Sequence, residues 1–227
     1  MAKKNYKREK FKNKKDWLEA RGLGGTSASA ITGSSRRRTI LDLFTNIMCP
    51  KKFKVDSVNE SMQYGIACEP LLRKIFALDF PQYQVLTPRN FEMYRRIDKP
   101  YITATIDSML IENETGRKGI LEIKTHEVRN REDEEEWNGH IPQDYYEQVV
   151  WYMVCMNDME FVRVMAKLNF YDFFDPDGKK LLRSEIRYYT IERSEVSKDI
   201  IALEKKGTRF WENNIKKGII PDIKIEF

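Results

Sequence analysis

Long apolar runs are missing from this chain. No window approaches the roughly 18 consecutive apolar residues of a membrane-spanning helix, so no span is expected. No apolar h-region opens the sequence, so no secretory leader is expected and the cytoplasm is the expected location. Cysteine is scarce. Cys49, Cys68 and Cys155 lie far apart, without a CxxC pair. That excludes a disulfide framework and a four-thiolate iron–sulfur cluster, and the three are expected to be small buried hydrophobes in a reducing compartment. The two histidines, His126 and His140, have no zinc spacing with cysteines and are read as ordinary polar residues. Internal repeats are absent too.

What is present is enough apolar residue, 41% of 227, to fill one core, and no linker divides it. Net charge is +5, but unevenly placed. Residues 1–15 carry eight Lys/Arg against Glu9 alone, which leaves the remainder slightly acidic. Residues 1–13 are therefore read as a basic tail, either a solvated extension or an arm reaching nucleic-acid phosphates, and residues 14–227 as a single domain.

Patterning predicts short helices at 14–21, at 26–33 with Thr26 or Ser27 as N-cap and Gly33 as stop, and at 39–48. Residues 59–79 read as a helix with Ile66, Leu71, Leu72, Ile75, Phe76 and Leu78 as its apolar stripe, kinked or restarted at Pro70. Strands are expected at 83–87 and 91–97, then a hairpin of 101–112 with 119–125 turned around Asn113–Gly116. The acidic run 132–136 is loop-like, 143–157 an apolar helix, 160–170 and 185–191 strands, and 194–217 a long helix with Val196, Ile200, Leu203, Phe210 and Trp211 inward. The fold class is α/β, or mixed α+β, with a central sheet flanked by helices.

The chemistry lies in the hairpin. Asp107 ends Tyr101-Ile-Thr-Ala-Thr-Ile106, and Glu122 and Lys124 alternate with Leu121 and Ile123 in the next run. Residues i and i+2 of a strand share a face, so Asp107, Glu122 and Lys124 can converge. Two carboxylates with a lysine can hold Mg²⁺ and position a water beside a phosphate. A solvated hairpin face would also put charges at these positions. Glu69 on the preceding helix could reach the same site, and Gly65 one turn earlier would permit close backbone approach. Gln148 and Tyr152 share a face of a helix apolar enough to be buried, where a glutamine needs partners.

Taken together, Trp17-x-x-x-Arg21, Gly22-Leu-Gly-Gly-Thr-Ser27, Gly65-x-x-x-Glu69, Ile106-Asp107, Leu121-Glu122-Ile-Lys124 and Glu147-Gln148-x-x-x-Tyr152 resemble, in order and over residues 14 to 217, the lambda-exonuclease or YqaJ-like phage recombination nucleases. The resemblance implies a restriction-endonuclease-like PD-(D/E)xK core. It implies a Mg²⁺-dependent enzyme, with Mn²⁺ also supporting activity, that degrades the 5′ strand of linear double-stranded DNA processively. It further implies a ring-shaped homotrimer, a single-strand annealing protein as partner, and the host cytoplasm if the gene is a phage's. Asp107 and Glu122 would bind the metal with the Ile123 carbonyl. Glu69 would serve a second metal position or its waters, Lys124 would position the attacking water, and Gln148 would fix that water or the lysine. Arg21 and Ser27 would hold the 5′-phosphate of the DNA end, with Ser29 as rival to Ser27, and Arg37 would contact a further phosphate. Ile106 stands where the family name has proline. An endonuclease on the same core and a non-catalytic DNA-end-binding protein are the alternative readings.

Overall fold

The computed structural model describes residues 4–50, 59–172 and 174–222. Among the described residues the elements follow in the order β1 (Tyr6–Lys10), α1 (Lys14–Glu19), α2 (Gly25–Thr32), α3 (Ile40–Met48), α4 (Glu60–Asp79), β2 (Tyr83–Leu86), β3 (Glu92–Arg96), β4 (Thr103–Ala104), β5 (Ser108–Glu112), β6 (Lys118–Val128), α5 (Arg131–Glu135), α6 (Gln143–Cys155), β7 (Phe161–Asp172), β8 (Lys180–Glu192) and α7 (Ser197–Phe210). A π-helical turn, Trp211–Ile215, continues α7.

The central sheet has the order β2-β5-β6-β7-β8. Only β6 and β7 pair in parallel, which requires a crossover connection, and α6 supplies it. Leu72 and Phe76 of α4 pack with Leu110, Leu121, Ile123 and Met165 on one face. On the other face α6 packs with α2, α7, Ile120, Val162 and Val164. Every residue of α6 from Glu147 to Cys155 is buried, which explains why its sequence lacks a polar stripe. The mixed sheet with helices on both faces is the expected fold class.

Several local expectations change. The basic start is not a free arm in the described residues: Tyr6–Lys10 pairs antiparallel with β3 in a second sheet, β1-β3-β4. Tyr6 is buried edge-on against Tyr94, and Glu9 pairs with Arg95 at 2.7 Å, so an apolar anchor and an ion pair hold this stretch. The segment 101–112 is two strands rather than one, because Thr103–Ala104 joins the small sheet and Ser108–Glu112 the large one. Helix α2 is capped at Gly24, before Thr26 and Ser27. Pro70 sits inside an unbroken α4. Ile66, whose carbonyl loses its helical partner to that proline, is exposed, as are Leu71, Ile75 and Leu78, so the buried face of α4 is narrower than its apolar stripe. The acidic run is the short helix α5 with Asn130 as N-cap. Of the three cysteines only Cys155 is buried, and Cys49 is exposed.

Candidate active site

Strand β5 stops short of β6. Their pairing ends at Ser108 opposite Leu121, whereas β6 runs on to Val128 with β7 still beside it. A notch with an open backbone edge results, and Asp107 sits at its corner. Its Oδ2 accepts a 2.7 Å hydrogen bond from the Ile123 amide. In extended backbone the N–H and C=O of one residue point the same way, so the Ile123 carbonyl lies on the Asp107 side as well.

Glu122 and Lys124 point from β6 toward α6, opposite to Leu121 and Ile123. Glu122 is only 2% exposed. Its Oε1 receives the Lys124 ammonium at 2.7 Å and the Gln148 side-chain amide at 2.8 Å. The Gln148 carbonyl accepts from Lys124 at 2.9 Å, and its amide also meets the Tyr152 hydroxyl at 2.6 Å. Gln148 is thus a buried amide with both ends engaged, as buried polar groups require. Glu122 Oε2 is buried without a hydrogen-bond partner. A carboxylate oxygen left bare in the interior is costly unless a cation meets it.

The electrostatics follow. Burial, then Glu122 and then Glu69, push the Asp107 carboxyl well above its usual range, against the pull of Lys124 and the Ile123 amide. Burial drags the Lys124 ammonium down, but Glu122, Asp107 and Tyr145 together outweigh it and its pKa is raised. Lys124 is therefore a held cation at neutral pH.

Glu69 comes from α4, on the other face of the sheet. It pairs with Arg73, whose guanidinium also donates to the Ser108 hydroxyl at 2.8 Å and the Asp107 carbonyl at 3.2 Å. Arg73 thereby brings Glu69 to the Asp107 corner and occupies its carboxylate. Among the described residues no three His, Cys, Asp or Glu side chains cluster closely enough to hold a metal. The oxygens that fit a hard cation are the bare Glu122 Oε2, Asp107 and the Ile123 carbonyl, with Glu69 available once it leaves Arg73. Gly65 does approach β6: a Cβ there would lie 3.1 Å from the Thr125 hydroxyl.

Helix α2 docks directly on this network. A Cβ at Gly25 would fall 2.7 Å from the Tyr152 ring and 2.8 Å from Gln148 Cγ, so only glycine lets the helix start there. Ser27 is buried and its hydroxyl accepts from the Gly24 amide at 3.1 Å, while Ser29 is equally buried and its hydroxyl reaches the Thr26 carbonyl at 3.4 Å. Arg21 lies over the Trp17 ring at 4.8 Å and pairs with no carboxylate among the described residues. Tyr152 and Arg38 are its electrostatic neighbours, and burial with the Arg38 charge lowers its pKa against the pull of Tyr152. Arg37 is exposed and reaches the Tyr145 hydroxyl at 3.4 Å. Buried Glu147 takes the hydroxyls of Thr32, at 2.5 Å, and Ser34, at 2.6 Å, and so ties the segment leading to Arg36–Arg38 onto α6.

The structure therefore joins Glu122, Lys124 and Gln148 in one contact network, sets Asp107 beside it on the Ile123 amide, and brings Glu69 to the Asp107 side through Arg73. Arg38, Arg73 and Tyr145 were not singled out from sequence. The available signals were the i+4 spacing of Arg73 from Glu69 and the i−3 spacing of Tyr145 from Gln148. His126 continues the β6 alternation, packs its ring 5.6 Å from Trp137 and has a buried, unpartnered Nε2.

The fold has solved counterparts. LHK-Exo, an alkaline exonuclease from Laribacter hongkongensis, superposes in its dAMP complex with a TM-score of 0.55 at 15% identity, covering 90% of this chain and 97% of that one. A phage-related exonuclease from Haemophilus somnus 129PT gives 0.51 at 15%, covering 92% and 91%. No curated protein compared with the chain matches it. The YqaJ-like viral recombinase domain matches residues 16–158, and the chain belongs to that family. It is a nuclease of the phage-recombination type.

Proposed function

We propose that this nuclease degrades the 5′ strand of linear double-stranded DNA in a Mg²⁺-dependent reaction. The products are 3′ single-stranded tails that a single-strand annealing protein takes up in phage-type recombination. The observation that carries this reading is the Glu122–Lys124–Gln148 network beside Asp107, with one buried Glu122 oxygen unpartnered. Asp107, Glu122 and the Ile123 carbonyl would hold Mg²⁺, or Mn²⁺ in its place, and Glu69 would join when Arg73 turns to a DNA phosphate. The bound ion supplies an acidified water and neutralises charge on the scissile phosphate. Lys124, kept as a cation by its carboxylate neighbours, orients that water and offsets phosphate charge. Gln148 fixes the lysine and Glu122 in one geometry, and Tyr152 fixes Gln148.

Polarity comes from the end-binding side. Arg21, without a carboxylate partner among the described residues, would grip a terminal 5′-phosphate bidentately, with Ser27 at the start of α2 as its companion on that phosphate. Ring closure as a homotrimer would make processivity topological, and the cytoplasm would be its site of action.

The test incubates linear and covalently closed circular duplexes with Mg²⁺, the linear ones carrying 5′-phosphate or 5′-hydroxyl ends. Loss of the linear 5′ strand with the circle intact is the expected result. Cutting of the circle identifies an endonuclease on this core and overturns the reading. End binding without cutting identifies a non-catalytic protein and overturns it equally.

A further inference from the structure

Tyr145 touches both halves of the site and has been assigned to neither. It lies one turn before Gln148 on α6, half-buried, its ring 5.6 Å from the fully buried Trp137. The Lys124 ammonium stands over that ring at 4.5 Å. Its hydroxyl accepts the long contact from Arg37. A tyrosine hydroxyl that accepts retains its own proton to donate. Lys124 is thus enclosed on one side by Glu122 and Gln148 and on the other by an aromatic face.

We infer that Tyr145 is a positioning residue that couples the two: its ring holds Lys124 against Glu122, and its hydroxyl aims Arg37 at a backbone phosphate of the bound DNA. The inference deepens the nuclease reading above and rests on it. Ring and hydroxyl are separable. The ring acts on the chemical step through Lys124, as a cation–π partner does. The hydroxyl acts on DNA engagement through Arg37, where an arginine needs a fixed orientation to meet phosphate oxygens. The chemical class addressed is a phosphodiester of duplex DNA, with no requirement for a particular base.

The experiment compares wild type, Tyr145→Phe, Tyr145→Leu, Arg37→Ala and the Tyr145→Phe/Arg37→Ala double variant on linear duplex with Mg²⁺, resolving kcat from KM. Tyr145→Leu is expected to lower kcat about 3- to 30-fold, the size of a partly buried cation–π contact. Tyr145→Phe should restore that kcat while KM for DNA stays raised about 2- to 10-fold, the size of one hydrogen bond. The double variant should raise KM no further than Arg37→Ala alone, because both changes remove one unit. Equal kcat in Tyr145→Leu and wild type overturns the role of the ring. Additive KM effects in the double variant overturn the role of the hydroxyl. Should Tyr145→Leu fail to fold, a kcat lowered in Tyr145→Phe, which keeps the ring, overturns the division, and the double variant still decides the hydroxyl. A wild-type protein that leaves linear DNA intact overturns the nuclease reading itself, a result distinct from all of these.

Discussion

The Asp107 carboxylate caps the Ile123 amide at 2.7 Å, across the point where β5 ends and β6 continues. One hydrogen bond thus joins a residue outside any strand to the open edge of the central one. It brings a second carboxylate to the Glu122 corner while keeping the two on separate backbone segments.

Lys124→Ala removes the ammonium that fills the space between Glu122, Gln148 and Tyr145. Cleavage of linear duplex should fall by ~10²–10³-fold, the range for removing one preorganised charge-stabilising donor from an active site. Binding of the same duplex in Ca²⁺ should stay within a few-fold of wild type. An electrophoretic binding assay beside a digestion time course checks both, and parental cleavage by the variant refutes the role given to Lys124.

Divalent cations should stabilise the fold. The pKa of Asp107 is raised by burial and by Glu122 and Glu69. Its folded state therefore holds the proton more tightly than the unfolded chain does. The associated stability is complete below the ordinary aspartate range and is lost as pH rises through the raised value. A cation bound at Asp107 and Glu122 reverses this penalty at neutral pH. Saturation at 100 times Kd adds about 2.7 kcal/mol, visible as a Tm increase by differential scanning fluorimetry. Asp107→Asn should abolish the increase. A Tm indifferent to Mg²⁺, Mn²⁺ and Ca²⁺ would count against the metal assignment.

Gly25→Ala tests the docking of α2 on α6. The added methyl meets the Tyr152 ring at 2.7 Å and Gln148 Cγ at 2.8 Å, both on a buried helix. Overpacking of this kind destabilises by about 1–3 kcal/mol, and here it also displaces Gln148. Chemical denaturation should show the loss, and kcat should fall by more than stability alone explains. A variant as stable and as active as wild type would show that α6 yields freely.

Arg21→Ala bears on end recognition. A charge-assisted contact with a terminal phosphate is worth roughly a factor of 10 or more. The variant should lose its preference for 5′-phosphate over 5′-hydroxyl ends and keep its rate on the latter. Measured initial rates on the two ends decide it, and a retained preference moves the phosphate contact elsewhere.

Thiol reactivity reports burial. Burial pushes the Cys155 thiol up to about 12, against weaker pulls from Arg96 and Arg95. At pH 8 its thiolate is scarce and shielded, whereas Cys49 is exposed. Mass spectrometry after brief iodoacetamide treatment should show Cys49 modified and Cys155 untouched until denaturant is added.

Periodicity was enough to read the helices α4, α6 and α7, the strands β6 and β7, and the buried face that includes Ile200, Leu203 and Phe210. Alternation on a strand and i, i+4 spacing on a helix are properties of the chain alone, so they could place Glu122 with Lys124 and Gln148 with Tyr152 on shared faces, while a solvated hairpin face would have produced the same spacing. Tertiary structure decided the rest. The split of residues 101–112 between two sheets, the pairing of Tyr6–Lys10 with β3 and the narrow buried face of α4 depend on which neighbour each segment meets, and pattern carries no record of that neighbour. The same holds for Arg73, Arg38 and Tyr145. Arg73 and Tyr145 gain their places only when α4 and α6 pack from opposite faces on the notch where the β5 pairing stops at Leu121 and β6 runs on.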